Sequence, residues 1–170
     1  MKCLSWFGTA ALSASLALVG CAVPPAGTSD ANLLQRMDTV MRQATPAMSV
    51  SLKLSSDQVK TGYAILAEVS TSTAGYVYLY QIDTDGQTLS LVFPNAMDGA
   101  NYVAAGTALG LPRPNWRMSA RGPAGVGHIM AVVTDKPLDL MTLQANTRDN
   151  KFELVAPFGA AMATLRELAH

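Results

Sequence analysis

The chain has 170 residues, of which 14% are charged, and its 12 Lys and Arg balance its 12 Asp and Glu to a formal net charge of +0. That balance is not the footprint of a nucleic-acid binder or of a patch drawn to anionic lipid, and the length suits one compact domain behind a short leader. With 2 Cys and 2 His in all, a thiolate metal site or a Ser-His-Asp triad would rest on very few residues.

The first apolar run, Leu4 to Val19, follows Lys2 and closes on Leu18-Val19-Gly20-Cys21. It is short and interrupted for a membrane span, which fits a removable secretory segment better. The four closing residues resemble a bacterial lipobox. That resemblance implies a signal peptide at 1–20, cleavage before Cys21 and acylation of the Cys21 thiol. Two or more acyl chains hold a protein stably at a membrane. In lipoproteins, Asp directly after the cysteine favours the inner membrane; Ala22 here favours the outer membrane, with the protein facing the periplasm. Cys3 then leaves with the leader and Cys21 carries lipid, so the mature body has no free thiol, disulfide or thiolate ligand. Residues 21–30, rich in Pro, Gly, Ser and Thr, read as a tether.

Asp30 is the expected N-cap of a helix over 31–45, because Leu33, Met37, Val40, Met41 and Ala44 recur at helical spacing and Thr45-Pro46 stops it. From Val50 the period falls to two. Strands are expected at Val50–Leu54, Tyr63–Val69, Gly75–Ile82, Thr88–Phe93, Ala108–Leu111, Trp116–Ala120 and His128–Thr134, with a hairpin across Thr84-Asp85-Gly86. Tyr76, Tyr78 and Tyr80 fall on one sheet face and Val77 and Leu79 on the other, the hydroxyls reaching water. Lys151–Val155 could add a strand. Pro157 then opens a C-terminal helix with Phe158, Ala161, Met162 and Leu165 as its buried stripe. Short strands separated by frequent turns give a mainly β antiparallel sandwich over 48–170, with one helix before it and one at its end.

The span from Tyr63 to Pro137 resembles a bacterial domain of unknown function found in lipoproteins and fused to serine/threonine kinases and caspase-like peptidases. The resemblance is carried by Gly75-Tyr76-Val77-Tyr78-Leu79-Tyr80, Asp83-Thr84-Asp85-Gly86, Leu91-Val92-Phe93-Pro94-Asn95, Ala105-Gly106-Thr107, Leu111-Pro112, Gly122-Pro123-Ala124-Gly125 and Ala131-Val132-Val133-Thr134-Asp135-Lys136-Pro137. It implies an immunoglobulin-like sandwich used as an envelope module, and it brings no catalytic residues.

The residues themselves offer no catalytic constellation. Asp83 and Asp85 flank a turn without the closing acid of a calcium loop, Gly122 to Gly127 lacks the Lys-Ser/Thr of a phosphate loop, and His128 opens an apolar strand. The candidate partner-binding residues are Arg113, Trp116, Arg117 and Arg121, types that anchor interfaces. To these are added Asn95, Asp98, Asn101 and Tyr102 in the long Pro94–Gly106 loop. The competing reading puts Trp116 in the core. The sequence therefore points to a non-enzymatic module without cofactor or metal. It is bound to the membrane through its lipid and docks on an envelope protein or peptidoglycan, within a secretion or other trans-envelope assembly by analogy. The alternatives are an inhibitor or immunity-type lipoprotein acting through the long loop, and a hydrolase built on His128.

Overall fold

A computed structural model describes residues 29–152, 154 and 157–170. The expected signal peptide, the expected lipidation site at Cys21 and the expected tether up to residue 28 lie outside the described residues. In chain order the elements are α1 (Ser29–Gln43), β1 (Val50–Leu54), β2 (Gln58–Lys60), β3 (Ala67–Thr71), β4 (Gly75–Ile82), β5 (Leu89–Phe93), β6 (Tyr102–Val103), β7 (Ala108–Leu111), β8 (Gly125–Thr134), α2 (Leu140–Arg148) and β9 (Phe158–Leu168).

The strands form two sheets. Sheet A is β1-β3-β7, antiparallel throughout; sheet B is β2-β9-β8-β4-β5, with β6 also pairing β4. Every pairing is antiparallel except β2 with β9. Period-two alternation puts Val69, Leu109 and Leu111 of sheet A against Val77, Leu79, Ile129, Ala131, Val133 and Leu165 of sheet B, and this is the inter-sheet core. The fold is thus the expected mainly β sandwich with two helices.

Sheet B is buried on its other face as well. Tyr78, Tyr80, Met130 and Val132 point outward from the sandwich and meet Leu33, Met37 and Val40 of α1 and Leu143 of α2. Sheet A, sheet B and a helix layer therefore stack in that order. Burial on both faces explains why β4 and β8 read as nearly unbroken apolar runs. It also corrects the expectation that the tyrosine hydroxyls reach water. Tyr78 is 1% exposed and its hydroxyl accepts the Leu138 N–H at 2.7 Å, while burial pushes the Tyr80 phenol far above its ordinary pKa.

Helix α1 ends at Gln43, ahead of the Thr45-Pro46 stop, and Thr45 N–H donates to the Phe158 carbonyl at 2.7 Å, tying the helix exit to β9. It begins at Ser29, so Asp30 lies inside the helix and not at its cap. The C-terminal helix sits elsewhere than expected. Residues 158–168 are a strand, β9, and the helix is α2 upstream of it. The Ala, Met, Leu and Glu of 160–167 favour helix in isolation, but β8 offers ten residues of open ladder, and β9 pairs with all of them from Gly125↔Glu167 to Thr134↔Phe158. Packing overrides propensity. Helix α2 starts from Asp139, whose carboxylate accepts the Thr142 N–H at 3.0 Å and the Thr142 hydroxyl at 2.5 Å.

Two expected strands are absent among the described residues. Lys151 and Phe152 carry no strand. Trp116–Ala120 makes only an isolated bridge, Ala64↔Ser119, with Ile65 N–H to Met118 O at 2.8 Å beside it. The β3–β7 ladder ends at Leu111, Pro112–Asn115 take the chain off it, and Trp116–Ala120 returns beside Tyr63–Ile65 with too few paired residues for a strand.

Candidate interaction surfaces

Pro94 ends the β5 ladder, and the next residue folds the chain on itself. Asn95 Oδ1 accepts the N–H groups of Met97 at 2.9 Å and Asp98 at 3.0 Å, while its Nδ2 donates to the Val92 carbonyl at 2.9 Å. The turn drives Asp98 inward, to 6% exposure. There Asp98 Oδ1 meets Arg113 Nη1 at 2.5 Å, and Oδ2 accepts from Trp116 Nε1 at 3.0 Å. Arg113 Nη2 donates to the Ala100 carbonyl at 2.8 Å, and the Asn115 amide bonds the Met97 carbonyl. The guanidinium carbon lies 5.6 Å from the Phe93 ring centroid. Phe93 and Trp116 are parallel within 3° at 6.2 Å.

Four of the eight predicted residues, Asn95, Asp98, Arg113 and Trp116, thus form one clamp that closes the side of the sandwich. Trp116 is core, at 8% exposure, and the arginine beside it is tied to the loop. Asn101 extends the β4 edge, its Nδ2 donating to the Val77 carbonyl at 3.1 Å and its own carbonyl accepting the Val77 N–H at 2.8 Å. Tyr102 is 60% exposed and packs edge-on against Tyr76 at 5.3 Å. Arg117 and Arg121 are exposed and stand apart from the clamp.

The remaining polar groups are individually placed. Asp83 takes the Gln81 amide at 2.7 Å; burial raises its pKa, and the nearby charge of Arg121 partly offsets that rise. Asp85 binds Thr88 Oγ1 and the N–H groups of Gln87 and Thr88; these bonds outweigh its desolvation and lower its pKa. Gly86, at φ +66°, completes the hairpin. Glu167, 2% exposed, accepts the Gly122 N–H at 2.7 Å. His128 is half-buried, which lowers its pKa, and its Nδ1 stands 3.5 Å from Thr164 Oγ1. Among the described residues no three His, Cys, Asp or Glu come together as a metal site.

Two recesses mark the surface of the described residues. A polar one of ≈ 390 Å³ lies between α2 and β5. Beside it Asn150, at φ +54°, closes the β5 edge by accepting the Leu89 N–H at 3.3 Å and donating to the Gln87 carbonyl at 2.9 Å. The other is a mostly apolar trough of ≈ 510 Å³ at sheet A, lined by residues of β1, β3 and β7 together with Leu66, Pro112 and Pro114. The trough was not anticipated from the sequence. Its one signal there is Gly110 at an outward position of an alternating strand.

Fold and surfaces together define a two-sheet β-sandwich backed by helices. Residues 58–137, just under half of the chain, match the family model described as a domain of unknown function, DUF4384. No curated protein sequence shows significant similarity to the chain. Among solved structures, the chain is similar to the sporulation control protein Spo0M from Bacillus subtilis, at 12% identity and a TM-score of 0.44 over 74% of this chain. It spans about half, 51%, of that protein. Among the described residues, no helix is long and apolar enough to cross a membrane.

Proposed function

We propose that this protein is a non-enzymatic interaction module of the bacterial envelope, acylated at Cys21, anchored in the outer membrane and turned to the periplasm. One observation carries the non-enzymatic part. The three buried carboxylates among the described residues are all engaged in holding structure: Asp98 by Arg113 and Trp116, Asp83 by Gln81, Glu167 by Gly122. A sheet face uncovered among the described residues remains for binding. The Leu18-Val19-Gly20-Cys21 motif supports the anchor, and the resemblance of Tyr63–Pro137 to a domain found in lipoproteins supports the use of the sandwich as an envelope module.

The partner on this reading is an envelope protein or peptidoglycan, and the host a trans-envelope assembly. Fractionation of cells carrying Cys21→Ala tests the anchor. The variant is expected to leave the membrane fraction with its melting temperature unchanged, and its retention there would overturn the lipoprotein assignment.

A second reading, an inhibitor that presents its long loop to an enzyme, draws on Met97. This residue is 66% exposed at the tip of a turn that Asn95 holds rigid. Loss of a protective effect on Met97→Asp would favour that reading.

A further inference from the structure

The face of sheet A turned away from sheet B carries a row that runs directly across its three strands: Lys53 pairs with Glu68, and Glu68 with Gly110. The third place in the row is empty, since a Cβ built on Gly110 meets nothing within 4 Å. The trough opens there, walled by Leu66, which is 49% exposed, and by Pro112 and Pro114. Lys53 and Glu68 are exposed, and neither forms an ion pair among the described residues. Arg113 at the rim is already held by Asp98. An apolar gap therefore sits beside one free cation and one free anion.

The occupant follows from size and charge. A second copy is a poor fit. Three strands about 4.8 Å apart and five residues long present roughly 250 Å², against about 800 Å² per partner in a stable interface. A two-fold axis pairing each Lys53 with the other Glu68 would also run between β1 and β3 and leave the gap over Gly110 unfilled. A small molecule needs a site that buries about 70–90% of its surface, and this is an open face. Nucleic acid and anionic lipid need a cationic surface. A protein segment needs a place for one apolar side chain and charges to set its register, and both are present.

Resting on the reading of the chain as an interaction module, we propose that the outer face of sheet A binds an extended segment of a partner protein. The segment crosses the three strands, lowers one apolar side chain into the gap over Gly110, and sets a basic residue against Glu68 and an acidic one against Lys53. Side chains on one face of an extended segment recur about every 6.6 Å, so the recognised order is apolar-x-basic-x-acidic, or its reverse. The wider spacing than that of the strands is taken up by the long Lys53 and Glu68 side chains.

The test selects a random twelve-residue peptide library, displayed on phage, against the full chain. Enriched peptides are expected to share an apolar residue followed at two-residue steps by a base and an acid, or the reverse. They should bind Gly110→Trp, which fills the gap from a position with open space, at least tenfold more weakly. The double variant Lys53→Glu with Glu68→Lys should lose the same peptides and recover binding to versions with their charges exchanged, a result that holds even if Gly110→Trp fails to fold. No enrichment, or enriched peptides that bind both variants as well as the parent, would overturn the proposal. Neither result touches the Cys21 fractionation, so failure of the surface and failure of the anchor read out separately.

Discussion

Asp98 shows how one residue can be read two ways from sequence and only one way in space. In the chain it is a polar residue of a long loop, fifteen positions from Arg113. In the fold it is a buried anion held by a guanidinium and an indole N–H. Removing one partner of such a group leaves the others desolvated and unpaired. Asp98→Ala should therefore cost about 2–4 kcal/mol in urea unfolding. A double-mutant cycle of Asp98→Ala with Arg113→Ala should return a coupling of at least about 1 kcal/mol; a value within a few tenths of zero would mean that the clamp is a surface pair.

The pH response is set at the same scale. Burial raises the Asp83 pKa, so the folded state holds that proton more tightly than the unfolded chain. Its contribution to stability is complete below the ordinary carboxylate range and is lost as pH climbs through the raised value. Asp83→Asn should accordingly gain stability over the parent at neutral pH and none at the acid end, measured by denaturant midpoints across the range. His128 works in the opposite direction: its lowered pKa makes it favour the fold when neutral, and that contribution fades as pH falls below about 6.5.

Among the elements, the strands that turn at least one face to the core were the most legible. Gly75–Ile82 and Ala108–Leu111 fall where alternation and turn residues place them, because their register is imposed by burial. What the sequence hid was decided by pairing. The Phe158–Leu168 segment has helix-forming residues and becomes a strand only because β8 is there to receive it. Glycine carries a visible trace of this junction. A Cβ on Gly159 would lie 2.2 Å from the Met48 carbonyl oxygen, and one on Gly75 2.5 Å from that of Thr134, whereas Gly110 is unobstructed. Gly159→Ala should destabilise by about 3 kcal/mol or more, through overpacking against main chain. Gly110→Ala should stay within about 0.5 kcal/mol. Equal effects in thermal melts would place β9 elsewhere.

At the scale of the whole molecule the fold class was readable from turn spacing, but the third layer was not. Leu33, Met37 and Val40 announce a helix with one apolar face; nothing in their spacing says that the face covers Tyr78 and Tyr80 and not a partner. The candidate site behaved in the same way. Arg and Trp close together in sequence suggested an interface, yet Trp116 is core and Arg113 a brace, since residue type does not reveal which neighbours the loop supplies. The uncovered face, by contrast, is built from a missing side chain, and an empty position announces little in a string of letters.

The placement of α1 has a mechanical consequence. A load applied ahead of Ser29 enters through this helix, which among the described residues is joined to the body by side-chain packing, by Arg36 donating to the Asn150 carbonyl and by the backbone bond from Thr45 to Phe158, with no ladder to shear. Helices held in this way peel at lower force than strands locked by hydrogen bonds in register. Pulled from that end against β9, a single molecule should yield in two steps: a soft release of about fifteen residues of helix, then a stiffer rupture of the sheets. A chain tethered at Cys21, as proposed, would thereby carry its own strain gauge, lengthening under tension while the two sheets stay folded.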